Sequence, residues 1–485
     1  MPKIPSRWLP LALLTLAALW LRTRDLALRP MHADEANQAV KAGELLESGL
    51  YAYDPVDHHG PLLYYATLPA AWCRGQRTLA GLDEVTIRLV PALAGTASVL
   101  LLWLLAAPLG RWPSLAAAAF LAASPPAVYY SRYFIQETLL VTFTLAALVC
   151  ARQWLSSGRT RWAVAAGACL GLMQAAKESA PLFALAAFAA FLVARGRRDP
   201  PMPGRPAKDC IAGAAAALAV AALFYSSFGA HPSGLRDALG SYGQIASRLR
   251  GGGTGHEKPW WYFLRLFTWQ RAGGLVFEQT GFAALVAAGF GVAIAGRSRL
   301  MRWAAVYSGV VLIALSATPY KTPWHAVDVV PGLALLAGGA VAALSRTRPG
   351  RWAAPAAALV VLGLLLFQTN RITRAYAADA RNPYAYVHSS PDVLKFRPMA
   401  DAALGRSPGG VVRVISGEYW PLPWYFRGLG RVGYWNQPPA DCDGALVVAS
   451  ADLADAVRSR LHGAYAESYL GLRPGFACVV FTPRQ

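Results

Sequence analysis

The sequence predicts an α-helical polytopic membrane protein, N-terminus in, that ends in a small extracytoplasmic α/β domain. Two observations carry this reading. Hydrophobic residues make up 55% of the 485-residue chain and its mean hydropathy is +0.34, more apolar side chain than the core of a soluble protein this size can hide. Basic residues recur in short clusters between the apolar runs, on alternate connections. The formal charge of +20 is therefore a topology signal and not the footprint of a nucleic-acid binder, which gathers its cations on one soluble face.

Lys3 and Arg7 precede the apolar run from Trp8 to Leu21, which resembles a signal peptide but has no small-residue cleavage site after it, so a retained first helix is expected. Further apolar runs of roughly 15 to 22 residues, about the length that spans hydrocarbon, begin near Ile87, Pro113, Thr138, Trp162, Ala180, Ile211, Gly281, Trp303, Ala326 and Trp352. With the first run they make about eleven spans, which the positive-inside rule can test. Arg111, then Arg152, Arg159 and Arg161, then Arg195, Arg197, Arg198, Arg205 and Lys208, then Arg297, Arg299 and Arg302, then Arg346, Arg348 and Arg351 all fall on one side, the cytoplasmic one.

The intervening connections then face outward. They are longer, rich in Trp, Tyr, His and Pro, and hold most of the carboxylates. Two are large, 22–86 and 229–278, with helical patterns over Glu35 to Ser48 and Leu235 to Arg250 that suit helices lying along the membrane surface. The membrane domain is read as 1–369. From 370 to 485 the composition is that of a soluble domain, with β-rich runs Val411 to Ser416 and Ala445 to Ser450 and a helical pattern over Ala451 to Leu461. None of the six cysteines has zinc or CxxC spacing; Cys442 and Cys478, both in the outer domain, are the pair able to form a disulfide.

Polar residues with chemical potential gather on the outer side. Asp34 and Glu35 lie about ten residues beyond the first span, where a carboxylate could take a proton from an attacking hydroxyl while the substrate's lipid tail stays in the bilayer. Acidic residues also cap helix N-termini, and the residues alone leave the two readings level. His58 and His59 precede a Gly60-Pro61 break and suit a polar turn or a phosphate contact; adjacent histidines rarely face one metal ion, and no metal is expected. Arg132 and Glu137 bracket the next outer loop, and this arginine sits on the side the positive-inside rule disfavours. Lys177-Glu178 places two charges in an apolar hairpin. Gly251-Gly252-Gly253, His256-Glu257-Lys258 and Trp260-Trp261 suit either a flap or a linker with an aromatic belt. In Thr318 to His325 two prolines fix Lys321 and His325 in a tight loop.

This layout resembles the GT-C glycosyltransferases, especially family 39, which includes protein O-mannosyltransferases and the lipid A aminoarabinose transferase. In that family an acidic motif early in the first outer loop is catalytic, which the resemblance carries to Asp34 with Glu35 beside it. A His-Lys-Pro-Pro-like core in the same loop is matched by His58-His59-Gly60-Pro61-Leu62, with the lysine replaced. More closely, Asp57 to Leu62, Ser131 to Glu137, Lys177-Glu178-Ser179, Tyr320 to Trp324 and Asn382 to His388 look like a subgroup labelled flippase-activity-associated.

The expectation is a GT-C type membrane glycosyltransferase of the cell (inner) membrane. It would move a sugar from a polyprenyl-phosphate donor to a glycan, lipid or protein acceptor at the outer face, with inversion. Asp34 would be the base, Arg132, Lys177 and Lys321 would hold the phosphate, and no cofactor or nucleic acid would take part. Glu418-Tyr419-Trp420 and Trp424-Tyr425 would stack on a sugar or form domain core. The alternatives are a lipid-linked oligosaccharide flippase or accessory protein without catalysis, which should carry ionisable groups near the bilayer midplane, and a structural scaffold for which Asp34 is dispensable.

Overall fold

The computed structural model describes residues 8–56, 59–196, 201–250, 256–296 and 298–484, with backbone only for 244–250. The chain opens with α1 (Leu9–Thr23), then two helices of the first large connection, α2 (Ala33–Ser48) and α3 (Leu62–Cys73). The bundle continues through α4 (Glu84–Ala106), α5 (Arg111–Ala123), the short α6 (Pro125–Tyr130), α7 (Glu137–Ser157), α8 (Thr160–Ala176), α9 (Ala180–Ala194) and α10 (Pro206–Tyr225). The second large connection holds α11 (Gly234–Arg250), α12 (Tyr262–Leu266) and a hairpin, β1 (Trp269–Ala272) and β2 (Leu275–Glu278). Four more bundle helices follow: α13 (Thr280–Ala295), α14 (Arg299–Ala317), α15 (Ala326–Leu344) and α16 (Gly350–Asn370).

Each apolar run read from the sequence is thus a helix, and among the described residues six stretches (84–109, 137–157, 206–225, 299–317, 323–344 and 350–375) are long and apolar enough to cross a membrane. Lipid offers no hydrophobic drive between helices, so close backbone approach must hold the bundle. α15 is buried almost throughout and meets its neighbours through small residues. A Cβ on Gly338 would come within 2.8 Å of the Pro113 carbonyl oxygen, and one on Gly167 of α8 within 1.9 Å of that of Gly213 on α10. A side chain at either position would push the helices apart.

The C-terminal part contains α17 (Val393–Arg406), β3 (Val412–Ile415), α18 (Leu422–Tyr425), β4 (Val432–Trp435), β5 (Leu446–Ser450), α19 (Ala454–Arg458), β6 (Tyr465–Arg473) and β7 (Phe476–Pro483). The strands form one sheet in the order β4-β3-β5-β7-β6, the first three parallel and the last two antiparallel. β3 and β5 match the two β-rich runs of the sequence. The helix expected over Ala451 to Leu461 shrinks to α19, and β4, β6 and β7 were not read from the sequence, the first two because Gly, Ser and Arg break their alternation. Cys442 and Cys478 are buried free thiols packed in two separate parts of the core, so the disulfide open to them is not formed.

The seam between sheet domain and bundle is specific. Trp424 is fully buried and its Nε1 donates to Glu84 at 2.7 Å; the Tyr425 hydroxyl accepts from the Met31 backbone at 2.9 Å; Arg427 lies over the Trp424 ring and donates to the Leu82 carbonyl at 3.0 Å. Trp424 and Tyr425 are therefore core and seam, while Tyr419 packs on Tyr434 of β4. The seam fixes the C-terminal domain against the start of α2.

Candidate functional site

The N-terminus of α2 separates the two adjacent carboxylates. His32 is the N-cap: its Nδ1 accepts from the Asp34 backbone N–H at 3.1 Å, and Glu35, three residues on, accepts from the His32 N–H at 3.3 Å, closing a capping box. The 100° turn between successive residues sends Glu35 inward and Asp34 outward.

Glu35 is fully buried. Its carboxylate takes Arg88 Nε at 2.6 Å and Nη2 at 2.8 Å, Arg29 Nη2 at 3.2 Å and the Phe134 N–H at 3.0 Å. Burial alone would raise its pKa, but Arg88 and Arg29 outweigh it and hold the group at about 2. Arg88 also donates to the carbonyls of Leu26, Arg29 and Pro30. Glu35 is thus the anchor of the first connection, with no open side for a substrate. Asp34, by contrast, keeps its side chain 54% exposed, with His32 Nδ1 3.9 Å away.

Arg132 spends its guanidinium on the end of α1, donating to the carbonyls of Leu21 at 3.1 Å, Arg24 and Asp25 at 3.1 Å, while its own carbonyl accepts from Arg29 at 2.9 Å. A cation there satisfies orphan carbonyls and the negative end of the helix dipole. This accounts for an arginine on the disfavoured side. Lys177 is buried against Glu137, whose charge outweighs burial and keeps the ammonium protonated. Beside it, His59 Nδ1 meets Glu178 at 3.0 Å and Tyr53 donates to the same carboxylate at 2.9 Å. His325 is electrostatically coupled to Lys177 and His59, and Asp328 to Lys177 and Glu137. These groups form one internal cluster, and Asp328 also lines a small gap with Val141, Phe183 and Tyr307. His58 lies outside the described residues.

Around Asp34 a different set converges. His256 lies within electrostatic reach of Asp34, and its Nδ1 hydrogen-bonds the Tyr386 hydroxyl at 2.7 Å. The 256–258 and 318–321 segments pair, with Lys321 N–H on the His256 carbonyl at 3.1 Å and Lys258 N–H on that of Pro319 at 3.2 Å. Lys321 Nζ donates to the carbonyls of Lys258, at 3.0 Å, and Thr318, which uses two of its three N–H donors. Lys258 stands over the Tyr386 ring at 5.5 Å. Aromatic rings line the place: His32 contacts Tyr133, Trp324 and His388, and Trp324 contacts Tyr386.

Of the expected set, then, Lys321 pairs with the backbone of His256, which lies within electrostatic reach of Asp34. Trp324 faces Asp34's surroundings while its neighbour His325 belongs to the Lys177 cluster. Sequence reading gave no role to Arg29, Arg88, Tyr386 or His388; the pairing of the two distant loops that brings Lys258 beside Tyr386 had no sequence signal. Among the described residues one further group has metal-ligand chemistry, Asp441, Asp443 and His462 on the sheet domain, with His462 Nδ1 3.1 Å from Asp443.

A family model described as dolichyl-phosphate-mannose-protein mannosyltransferase matches residues 67–228, about a third of the chain. No curated protein sequence matches. ArnT from Cupriavidus metallidurans bound to undecaprenyl phosphate superposes with a TM-score of 0.67 at 16% identity, over 97% of this chain and 97% of that one. Its apo state gives 0.68 at 17%, over 98% and 99%. The archaeal oligosaccharyltransferase AglB from Archaeoglobus fulgidus, in complex with an inhibitory peptide and a dolichol-phosphate, gives 0.56 at 15%, over 96% and 72%. At such identities shared architecture is the content of the likeness. A multi-pass helical bundle with an appended sheet domain, superposing end to end on ArnT, gives this chain the fold of the GT-C glycosyltransferase superfamily.

Proposed function

We propose that the chain transfers a sugar from a polyprenyl-phosphate donor to an acceptor hydroxyl at the extracytoplasmic face of the cell (inner) membrane, by a single displacement that inverts the anomeric carbon. The observation that carries this reading is the outward carboxylate of Asp34, exposed where the first connection, the paired 256–258 and 318–321 segments and the Tyr386–His388 stretch meet. A structural relative bound to undecaprenyl phosphate supports the donor class.

In the step, the acceptor oxygen attacks the anomeric carbon and its proton passes to Asp34. The bond from that carbon to the phosphate oxygen breaks, and the lipid phosphate leaves with the electron pair. A phosphate is a good leaving group, so it needs charge neutralisation more than protonation. We assign that neutralisation to Lys258 and to Lys321, which keeps one N–H donor beyond its two carbonyl partners, while Arg132 and Lys177 are taken up by their own partners. As written, the step needs no cofactor.

The test is transfer by the full chain in nanodiscs, from radiolabelled polyprenyl-phosphate hexoses and pentoses to a panel of hydroxyl acceptors. Labelled product with equimolar release of polyprenyl phosphate is expected; binding of the lipids without turnover by wild type would instead favour a flippase. Within this reading Lys258→Met should raise the KM for the donor by about 10- to 100-fold, the loss of one charge-assisted hydrogen bond, with the melting temperature unmoved. Steady-state kinetics at varied donor concentration checks it.

A further inference from the structure

Among the described residues, His388 is a buried ionisable group with no part in the proposed step. It lies at the end of the stretch joining the last bundle helix to the sheet domain, is 1% exposed, and neither ring nitrogen makes a hydrogen bond of ordinary geometry. Its ring packs edge-on against His32 at 5.7 Å between centroids and against Tyr133 at 6.1 Å. His32 holds the Asp34 backbone, so His388 stands one ring behind the exposed carboxylate. Burial, with Arg29, His32 and Arg88 close by, holds its pKa well below the ordinary value, against a weak contact with the Ser389 backbone that favours the protonated ring. A neutral imidazole offers one N–H donor and one lone pair.

Leaving two polar atoms buried and unpaired weakens folding, and a leucine of similar volume would avoid that cost. A polar group kept at such a cost inside an aromatic-walled site is explained if it gains its partners in another state. A hydroxyl can meet either ring nitrogen, as donor to the lone pair or acceptor from the N–H, whereas a phosphate oxygen can meet only the N–H.

We propose that His388 is a specificity residue that hydrogen-bonds a hydroxyl of the lipid-borne sugar, through the ring nitrogens left unpaired beside His32 and Tyr133. This rests on the transferase reading above. The residue selects for the sugar and not for the lipid phosphate, which belongs to Lys258 and Lys321.

The test compares wild type, His388→Leu and His388→Gln as full chains in nanodiscs, by thermal unfolding, by transfer kinetics, and by the shift in melting temperature on adding polyprenyl-phosphate hexoses and pentoses or polyprenyl phosphate alone. His388→Leu should melt at or above wild type, since it buries no unpaired polar atom. Its kcat/KM should fall about 100-fold, a typical loss for a buried hydrogen-bonding group in an active site. His388→Gln, with a donor and an acceptor, should recover at least ten-fold of that loss (by the same reasoning, about half of it in free energy). Stabilisation by sugar-free polyprenyl phosphate should be the same in all three.

A leucine variant that melts lower while its folded fraction keeps wild-type kcat/KM would make His388 a packing residue and overturn the proposal. So would a glutamine variant no better than leucine, or equal loss of stabilisation by the sugar-free lipid. If wild type itself neither turns over nor distinguishes sugar-bearing from sugar-free lipid, the transferase reading fails first, and with it the ligand assigned to His388.

Discussion

Asp34→Asn should lower sugar transfer by about 10²- to 10⁴-fold, the range that a positioned general base supplies, while leaving the fold in place. The two halves of this expectation come from different atoms of one helix start. The capping of α2 belongs to the His32 ring and the Glu35 carboxylate, both of which the substitution keeps. Asp34 adds only a negative charge near the helix N-terminus, worth about 0.3–1 kcal/mol at an exposed position. Asparagine preserves the shape and hydrogen-bonding size of the side chain but cannot take the proton. Initial rates and thermal unfolding on the same preparations separate the cases. Wild-type rates in the mutant would remove Asp34 as the base. A large drop in melting temperature would mean that its charge serves the helix instead, and the level readings of the sequence would be decided for capping.

The bundle was legible because its signal is local: apolar runs of spanning length, checked by basic residues on alternate connections, need no knowledge of which helix touches which. The start of α2 was half legible. The sequence showed two carboxylates at a helix N-terminus, but which one turns inward depends on Arg88, whose guanidinium reaches Glu35 from 53 positions along the chain. Arg132 misled for the same reason. It lies where a substrate cation would lie, and its actual partners are carbonyls at the end of α1, more than 100 residues earlier. Lys177 and Glu137 look like separate loop charges until α7 and α8 bring them together. His388 sat in a string matched by resemblance, Asn382 to His388, yet nothing in its neighbours in sequence foretold a buried ring with unpaired nitrogens. Contacts set by the turn of a helix can be read from order along the chain; contacts set by packing between distant helices cannot.

Glu35→Ala should destabilise the protein by about 3–5 kcal/mol, the cost of removing one partner from a buried ion pair. The reason is what would be left behind. Arg88 and Arg29 would be two buried guanidiniums without a carboxylate, and the N–H groups of Phe134 and His32 would lose their acceptor. The same group gives the protein a definite acid sensitivity. Its pKa is held below the unfolded value of 4.5, at about 2, so its contribution is fully present above pH 4.5 and is lost as the pH falls from there towards 2. At 1.36 kcal/mol for each unit, that contribution is about 3 kcal/mol. Thermal unfolding in detergent from pH 7 to pH 3 should therefore show wild type losing stability below pH 4.5, and Glu35→Gln, which has no proton to gain there, losing less. The gap between the two should be widest near neutral pH and close on acidification. A gap that stays constant over this range would mean that Glu35 has the same pKa folded and unfolded, and that Arg88 and Arg29 give its ionised form no net stabilisation.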